Sequence, residues 1–256
     1  SSLSNEEFLS WGWRIPFYLS GLLIAVGLII RLRIMETPLF EELKKRNQLA
    51  EAPIRDTFRN HWREILLVAG MRMAENACFY LFTAWIVSYG KTVLDVEGSL
   101  ILRAICIAAA IELLTIPLFG MLSDRFTRRY TYMAGCIFLI VFAFPFFALL
   151  NTREPAWIVL AIVVALNGGH AVLYSVQASL IPELFGTRLR CTGASIGYQL
   201  GAPLAGGIAP LIAAFLVWEF PGQYWVLAVY IILLALVSLF CVHRLVETSK
   251  RDLSAR

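Results

Sequence analysis

Arg72, Glu75 and Asn76 stand within one helical turn of each other in an otherwise apolar run, residues 64 to 89, and are followed by Tyr80 and Thr83. Residues three and four apart share a helix face, so a guanidinium, a carboxylate and an amide meet on one side of one helix. At 1.5 Å per residue Glu75 lies roughly 16 Å into that run, near the middle of a bilayer core. Charges at that depth cost about 2.5 to 3.5 kcal/mol each on insertion scales, and pairing reduces the cost. Two chemistries are open to them. One is a structural ion pair that holds a bundle together; the other is a working site in which Glu75 carries a proton or Arg72 holds a substrate carboxylate.

A second carboxylate, Glu112, occupies similar depth in the run 99 to 122. Arg103 stands nine residues earlier, a rotation of about two and a half turns, so it points to the opposite side and reaches for the outer interface. Glu112 has no partner within its own helix. Either it exchanges protons or it pairs across to Arg72. In the run 156 to 181, Asn167, His170, Tyr174 and Gln177 recur at spacings of three, four and three, one polar stripe with His170 near its centre. Four aligned polar groups at membrane depth read as the wall of a wet path, with an interhelical hydrogen-bond network as the other reading. Tyr198 and Gln199 in the run 192 to 218 join Asn76 and Tyr80 as candidate path lining.

The elements that must hold these groups are helices in lipid. Of the 256 residues 59% are hydrophobic and 16% charged, which excludes an ordinary soluble domain. Seven apolar runs, near 13–32, 64–89, 99–122, 130–150, 156–181, 192–218 and 224–243, each meet the roughly 20 residues that a hydrocarbon core demands. The fold class is therefore all-α, a polytopic membrane protein of seven transmembrane helices. Polar residues are confined to the second, third, fifth and sixth runs. Those four are expected to line a cavity, with the nearly bare first, fourth and seventh packed outside them.

The net charge of +4 is distributed unevenly. Arg31, Arg33, Lys44 to Arg46, Arg55, Arg59 and Arg63, then Arg125, Arg128 and Arg129, then Arg188 and Arg190, then Arg244, Lys250, Arg251 and Arg256 all fall on one side. The positive-inside rule places that side in the cytoplasm, the N-terminus outside and the C-terminus inside. An outside start at Ser1 without methionine or signal peptide reads as the C-terminal part of a longer chain. The long connection near 33–63 divides at Pro38 and Pro53, and Leu39, Phe40 and Leu43 give its first piece one apolar face, as in a helix on the membrane surface. Cys78, Cys106, Cys136, Cys191 and Cys241 are single and scattered, so they indicate neither a disulfide framework nor a metal site.

Gly193, Gly197 and Gly201 recur every four residues, with Gly206, Gly207, Pro203 and Pro210 beyond, a helix made for close packing and bending. Its Gly193, Ser195 and Gly197 also match the G-x-S-x-G nucleophile elbow of serine hydrolases, which requires a strand and a sharp turn before the serine. Two basic loops are the most specific stretches. Gly120, Asp124, Arg125, Arg128 and Arg129 join the third and fourth runs, and Glu183, Arg188 and Arg190 join the fifth and sixth. Asp124 and Glu183 could pair with those arginines or sit at helix N-termini, latching that breaks and reforms as a gate requires.

The run GMLSDRFTRR at 120–129 resembles the cytoplasmic signature of the major facilitator superfamily. WGWRIP at 11–16, ETPLF at 36–40, RMAENACFYLF at 72–82, TIPLFG at 115–120 and PELFGTRLRCTGASIGYQLG at 182–201 resemble its metabolite:proton symporter family, which includes shikimate, oxoglutarate, citrate and proline/betaine permeases. Thr127 stands where the signature usually has glycine, Gly186 where this family usually has proline, and Glu112 where a small or apolar residue is expected.

The resemblance implies that the seven spans are helices six to twelve of a twelve-helix fold. Residues 1–32 form helix six, 33–63 the cytoplasmic central loop, 64–245 a six-helix bundle and 246–256 a cytoplasmic tail. It implies proton-coupled symport of a small organic acid or zwitterion across a bacterial plasma membrane by alternating access, with helices one to five and the lipid bilayer as partners. No cofactor, metal, nucleic acid or catalytic residue is implied. Arg72, Glu75 and Glu112 become the proton-coupling or buried-charge group, and the two basic loops the cytoplasmic gate. The rival readings are a non-transporting sensor or scaffold of the same fold and an intramembrane serine hydrolase using Ser195 and His170.

Overall fold

The computed structural model describes residues 4–33, 53–185 and 189–249. The expected surface helix at Pro38, the ETPLF motif, Gly186, Arg188 and the end of the tail lie outside the described residues. Every regular element among those described is helical. Seven helices are long and apolar enough to cross a membrane: α1 (Gly12–Arg33), α2 (Ile54–Thr92), α3 (Gly98–Arg125), α4 (Arg128–Asn151), α5 (Pro155–Leu184), α6 (Arg190–Glu219) and α7 (Trp225–Arg244). Residues 1–49 and 50–256 are separate units, the first holding α1 and the second α2 to α7.

In the first unit a capping box starts a short helix, Asn5–Ser10: the Ser4 hydroxyl accepts the Glu7 N–H at 3.3 Å and the Glu7 carboxylate accepts the Ser4 N–H at 2.9 Å. One tight turn, Gly12–Arg14, then leads into the helix Ile15–Arg33.

In the second unit, the helix leading into α2 begins at Pro53, whose missing N–H costs nothing in a first turn. His61, at φ −130° and ψ 24°, interrupts it and separates a short leading piece from the span. Thr127 starts α4: its hydroxyl accepts the Tyr130 N–H at 3.3 Å, and its φ of −167° is extended backbone open to any residue. The position therefore makes no demand for the glycine usual in the loop signature. Pro155 occupies the first turn of α5.

Lipid tails are as apolar as leucine, so these helices associate through close packing and hydrogen bonds. The glycine stripe of α6 lies on α2. A Cβ added at Gly201 would sit 3.1 Å from Arg72 Cβ and 3.3 Å from the Ala69 carbonyl oxygen, and one at Gly197 would sit 2.7 Å from Val68 Cγ1. On the opposite side Gly70 of α2 faces Cys241 of α7. The buried face of α2 comprises Ile65, Val68, Met71, Ala74, Ala77 and Cys78.

Within this unit the bare helices are not its margin. α4 and α7 supply much of the buried core, whereas α3 and α6 are mostly exposed.

Three helices contain a single wide π-type turn: Leu81–Trp85 in α2, Leu166–His170 in α5 and Ala202–Gly207 in α6. Such turns leave the backbone ladder out of step and recur at functional sites. All three fall on helices that carry candidate residues.

Candidate functional site

Arg72 is 4% exposed and every nitrogen of its guanidinium is engaged. Nε donates to Gln177 Oε1 at 3.0 Å, Nη1 to the Tyr198 carbonyl at 2.5 Å and Nη2 to Glu75 Oε2 at 3.2 Å. Its plane lies 3.4 Å from the centre of the Tyr198 ring. A fork held on three sides and stacked on an aromatic face is a pre-organised cation, with three of its five N–H donors committed to the protein.

Glu75 extends the chain of charges. Its Oε1 lies 3.6 Å from His170 Nε2, while His170 Nδ1 lies 2.8 Å from Glu112 Oε1. Three helices, α2, α5 and α3, thus contribute to one row: Arg72, Glu75, His170, Glu112. Glu112 does not pair with Arg72; the register of α3 against α5 delivers it to the histidine. The imidazole lies between Phe79, with ring centres 4.9 Å apart, and Tyr174, 5.4 Å away and nearly parallel. Glu75 and His170 are buried, Glu112 is partly open, and Phe79 and Tyr174 present exposed faces.

The other candidate residues divide by what they touch. Asn167 bridges helices: its Oδ1 accepts from Thr115 at 2.7 Å and its amide donates to the carbonyls of Ala108 and Val163. Asn76 and Tyr80 pack where Gly206 leaves room, since a Cβ there would lie 2.6 Å from each of them. Asn76 is buried and Tyr80 exposed. Gln177, Tyr198 and Gln199 line a cavity of about 380 Å³ between α5 and α6, together with Ser195 and Pro182. Ser195 itself sits inside the helix Arg190–Gly201, and among the described residues no strand precedes it and no hydrogen bond joins it to His170. The nucleophile elbow is not formed.

At the basic end of the bundle, Arg128 joins the two loops. Its Nε and Nη2 donate to the two oxygens of Glu183 at 2.7 and 2.8 Å, and its Nη1 to Asp124 at 2.8 Å. The segment after α7 closes over this cluster. Glu247 accepts the backbone N–H groups of Arg128 and Arg129 at 3.2 and 3.0 Å, where the start of α4 favours an anion. Thr248 donates to Glu183 at 2.6 Å, and Arg129 Nη2 to the His243 carbonyl at 2.7 Å. Burial pushes the Glu247 carboxyl up, but the N–H groups of Ser249, Arg129 and Arg128 outweigh it and hold the group below the usual carboxylate range. Gly120 accepts the Ser123 hydroxyl, Arg125 ends α3, and Arg190 begins α6.

Sequence reasoning missed Tyr132, Ser238, Glu247 and Thr248. Tyr132 of α4 accepts from Gln177 at 3.4 Å and donates to the Met71 carbonyl at 2.8 Å, beside Arg72. Tyr132 and Ser238 stand in apolar helices, and Glu247 and Thr248 lie in the short polar run that follows α7.

A family model described as Major Facilitator Superfamily matches residues 7–198. The shikimate transporter of Escherichia coli (strain K12) is 33% identical over 92% of this chain and 54% of its own length. The proline/betaine transporter of Salmonella typhimurium is 32% identical over 98% of the chain and 51% of its own. An inner membrane metabolite transport protein of Escherichia coli (strain K12) is 31% identical over 84% and 50%. The chain spans about half the length of these curated relatives. No solved structure matches it.

Proposed function

The chain belongs to the major facilitator superfamily, and from that premise we propose that this multi-pass membrane protein is the C-terminal part of a proton-coupled metabolite carrier. The reading rests on one observation, the row Arg72, Glu75, His170, Glu112 buried across three helices. One guanidinium faces two carboxylates and a histidine, so a single added proton makes the row neutral. A wall that becomes neutral when it takes up one proton is suited to coupling a proton to a second passenger.

Arg72 serves as the fixed counter-charge of Glu75, because Nη2 donates to that carboxylate while Gln177 and the Tyr198 carbonyl hold the fork in place. The passenger is a small organic acid or zwitterion, moved in symport by alternating access, with the opposite wall supplied by five preceding helices. Tyr80, Tyr174 and Gln199 are its contacts on this side, as their exposed positions favour. The basic loops and the α7 tail lie in the cytoplasm of a bacterium, the N-terminus of α1 outside, as the charge distribution favours. The Arg128–Glu183–Asp124 cluster acts as the cytoplasmic latch.

Uptake of shikimate, proline and glycine betaine into proteoliposomes containing the full-length protein tests this reading. An inwardly directed proton gradient is expected to drive accumulation of at least one of them, and Glu75→Gln to abolish the gradient's effect. Uptake and pH dependence unchanged in Glu75→Gln would make the row a structural feature.

A further inference from the structure

The turn of α2 that carries Arg72 is gripped from behind by α7. Ser238 is fully buried, and its hydroxyl accepts the N–H of Ala74 at 2.9 Å while donating to the carbonyl of Gly70 at 3.1 Å. Gly70 and Ala74 are the pair that an uninterrupted helix would join to each other. A side chain from the neighbouring helix thus bonds both ends of one rung of the backbone ladder. Gly70 makes the approach possible, since a Cβ there would run into the Cys241 side chain one turn along α7. The next carbonyl, that of Met71, is held by Tyr132 of α4. Arg72 lies midway between Gly70 and Ala74, and Glu75 follows directly.

We propose that Ser238 is a positioning residue for the Arg72–Glu75 pair: by bonding the Gly70 carbonyl and the Ala74 N–H together it fixes that turn of α2 against α7, and so where the guanidinium meets Gln177 and Glu75. A hydroxyl is suited to this because it donates and accepts at once, bonding both backbone groups. Alanine at 238 removes the clasp and lets the turn shift against α7, carrying the Arg72 side chain relative to α5. Threonine keeps the hydroxyl.

The inference rests on the carrier reading for its transport readout and on geometry for its structural one. Glu75 faces Arg72 and Cys78 of its own helix, His170 with Glu112 behind it, and the Tyr132 and Tyr198 side chains, so a small rotation of the turn alters several of its contacts together.

The test compares Ser238→Ala and Ser238→Thr in the full-length protein, by uptake of the same three probes across pH and by cryo-electron microscopy. Ser238→Ala is expected to fold and insert, to lower the maximal rate about tenfold with a smaller change in KM, and to displace the pH profile of uptake. Ser238→Thr is expected to restore the profile. A profile for Ser238→Ala that overlays the wild type overturns the proposal, even where the variant is less stable. Should the wild type ignore an imposed proton gradient, the carrier reading fails by itself. The structure of Ser238→Ala then decides: Arg72 still on Gln177 and Glu75 overturns the positioning role, and Arg72 displaced from them upholds it.

Discussion

Glu112 Oε1 lies 2.8 Å from His170 Nδ1, bringing the mid-span carboxylate of α3 onto the central residue of the α5 polar stripe. The contact joins two residues 58 positions apart, and it turns a buried ion pair on α2 into a row that crosses three helices. At one end the row terminates in an arginine held by Gln177, the Tyr198 carbonyl and Glu75, and at the other in a carboxylate that is partly open. Under the proposed carrier function, Glu112 is the point where the row exchanges protons with water.

Replacing Glu112 with glutamine keeps the shape and an acceptor for His170 but removes the charge. Uptake by Glu112→Gln is expected to lose most of its dependence on pH over the range in which wild-type uptake varies, while probe binding changes by less than about threefold. Initial rates over that range, with binding measured separately by calorimetry, check this. A profile that still follows the wild type would leave Glu112 outside the coupling step.

Arg72→Met removes the cation and leaves Glu75 buried without it. Breaking a buried pair from one side costs about 3 to 5 kcal/mol, whereas replacing both partners by uncharged groups costs far less. The double variant Arg72→Met/Glu75→Gln is therefore expected to melt above the single Arg72→Met variant in detergent. Thermal unfolding of both proteins provides the comparison, and a double variant less stable than the single one contradicts the assignment of Arg72 as counter-charge.

The seam between α6 and α2 is tested at Gly201. A larger side chain must push Ala69 and the Cβ of Arg72 away, and overpacking of this kind costs about 1 to 3 kcal/mol. Gly201→Val is expected to lower the melting temperature and to reduce uptake. Gly207→Ala is the control, because a Cβ there has nothing within 4 Å. Equal losses in the two variants would show that close packing at Gly201 is not the cause.

Much of this was legible in the amino-acid order, and the remainder was hidden for physical reasons. Hydropathy locates all seven spans, and the three-residue spacing of Arg72 and Glu75 brings them together in any helix. The stripe from Asn167 to Gln177 reads as one face, although Asn167 holds α3 to α5. Which helix meets which, and in what register, is absent from any single helix, so the Glu112–His170 contact was out of reach. Ser238 was hidden for a different reason. A lone serine in an apolar helix often bonds its own backbone one turn back, and nothing in the sequence separates that case from a serine that reaches a neighbouring helix. The Tyr132 hydroxyl reaches beyond its own helix, and only the packing of α4 on α2 names its partner.

Glu247 provides a prediction with a definite sign. Its carboxyl is held below the ordinary value in the folded protein, chiefly because backbone N–H groups of Ser249, Arg129 and Arg128 overcome the upward push of burial. A group lowered in this way contributes stability that is present above its unfolded pKa and lost as pH falls through the folded one. The clasp over Arg128 is therefore closed at neutral pH and opens only in acid, below the ordinary value of 4.5. Glu247→Gln is expected to lower the melting temperature near pH 7 and to converge with the wild type as pH falls below 4.5 and through the lowered folded-state value, a window set by that carboxyl alone in the difference between the two proteins. Amide exchange over residues 245–249 should show the same convergence, fast in Glu247→Gln at all pH values and accelerating in the wild type only in acid once the intrinsic pH dependence is removed. A constant gap between the two proteins from pH 7 to below the folded-state value would mean that Glu247 supports the clasp through shape rather than charge.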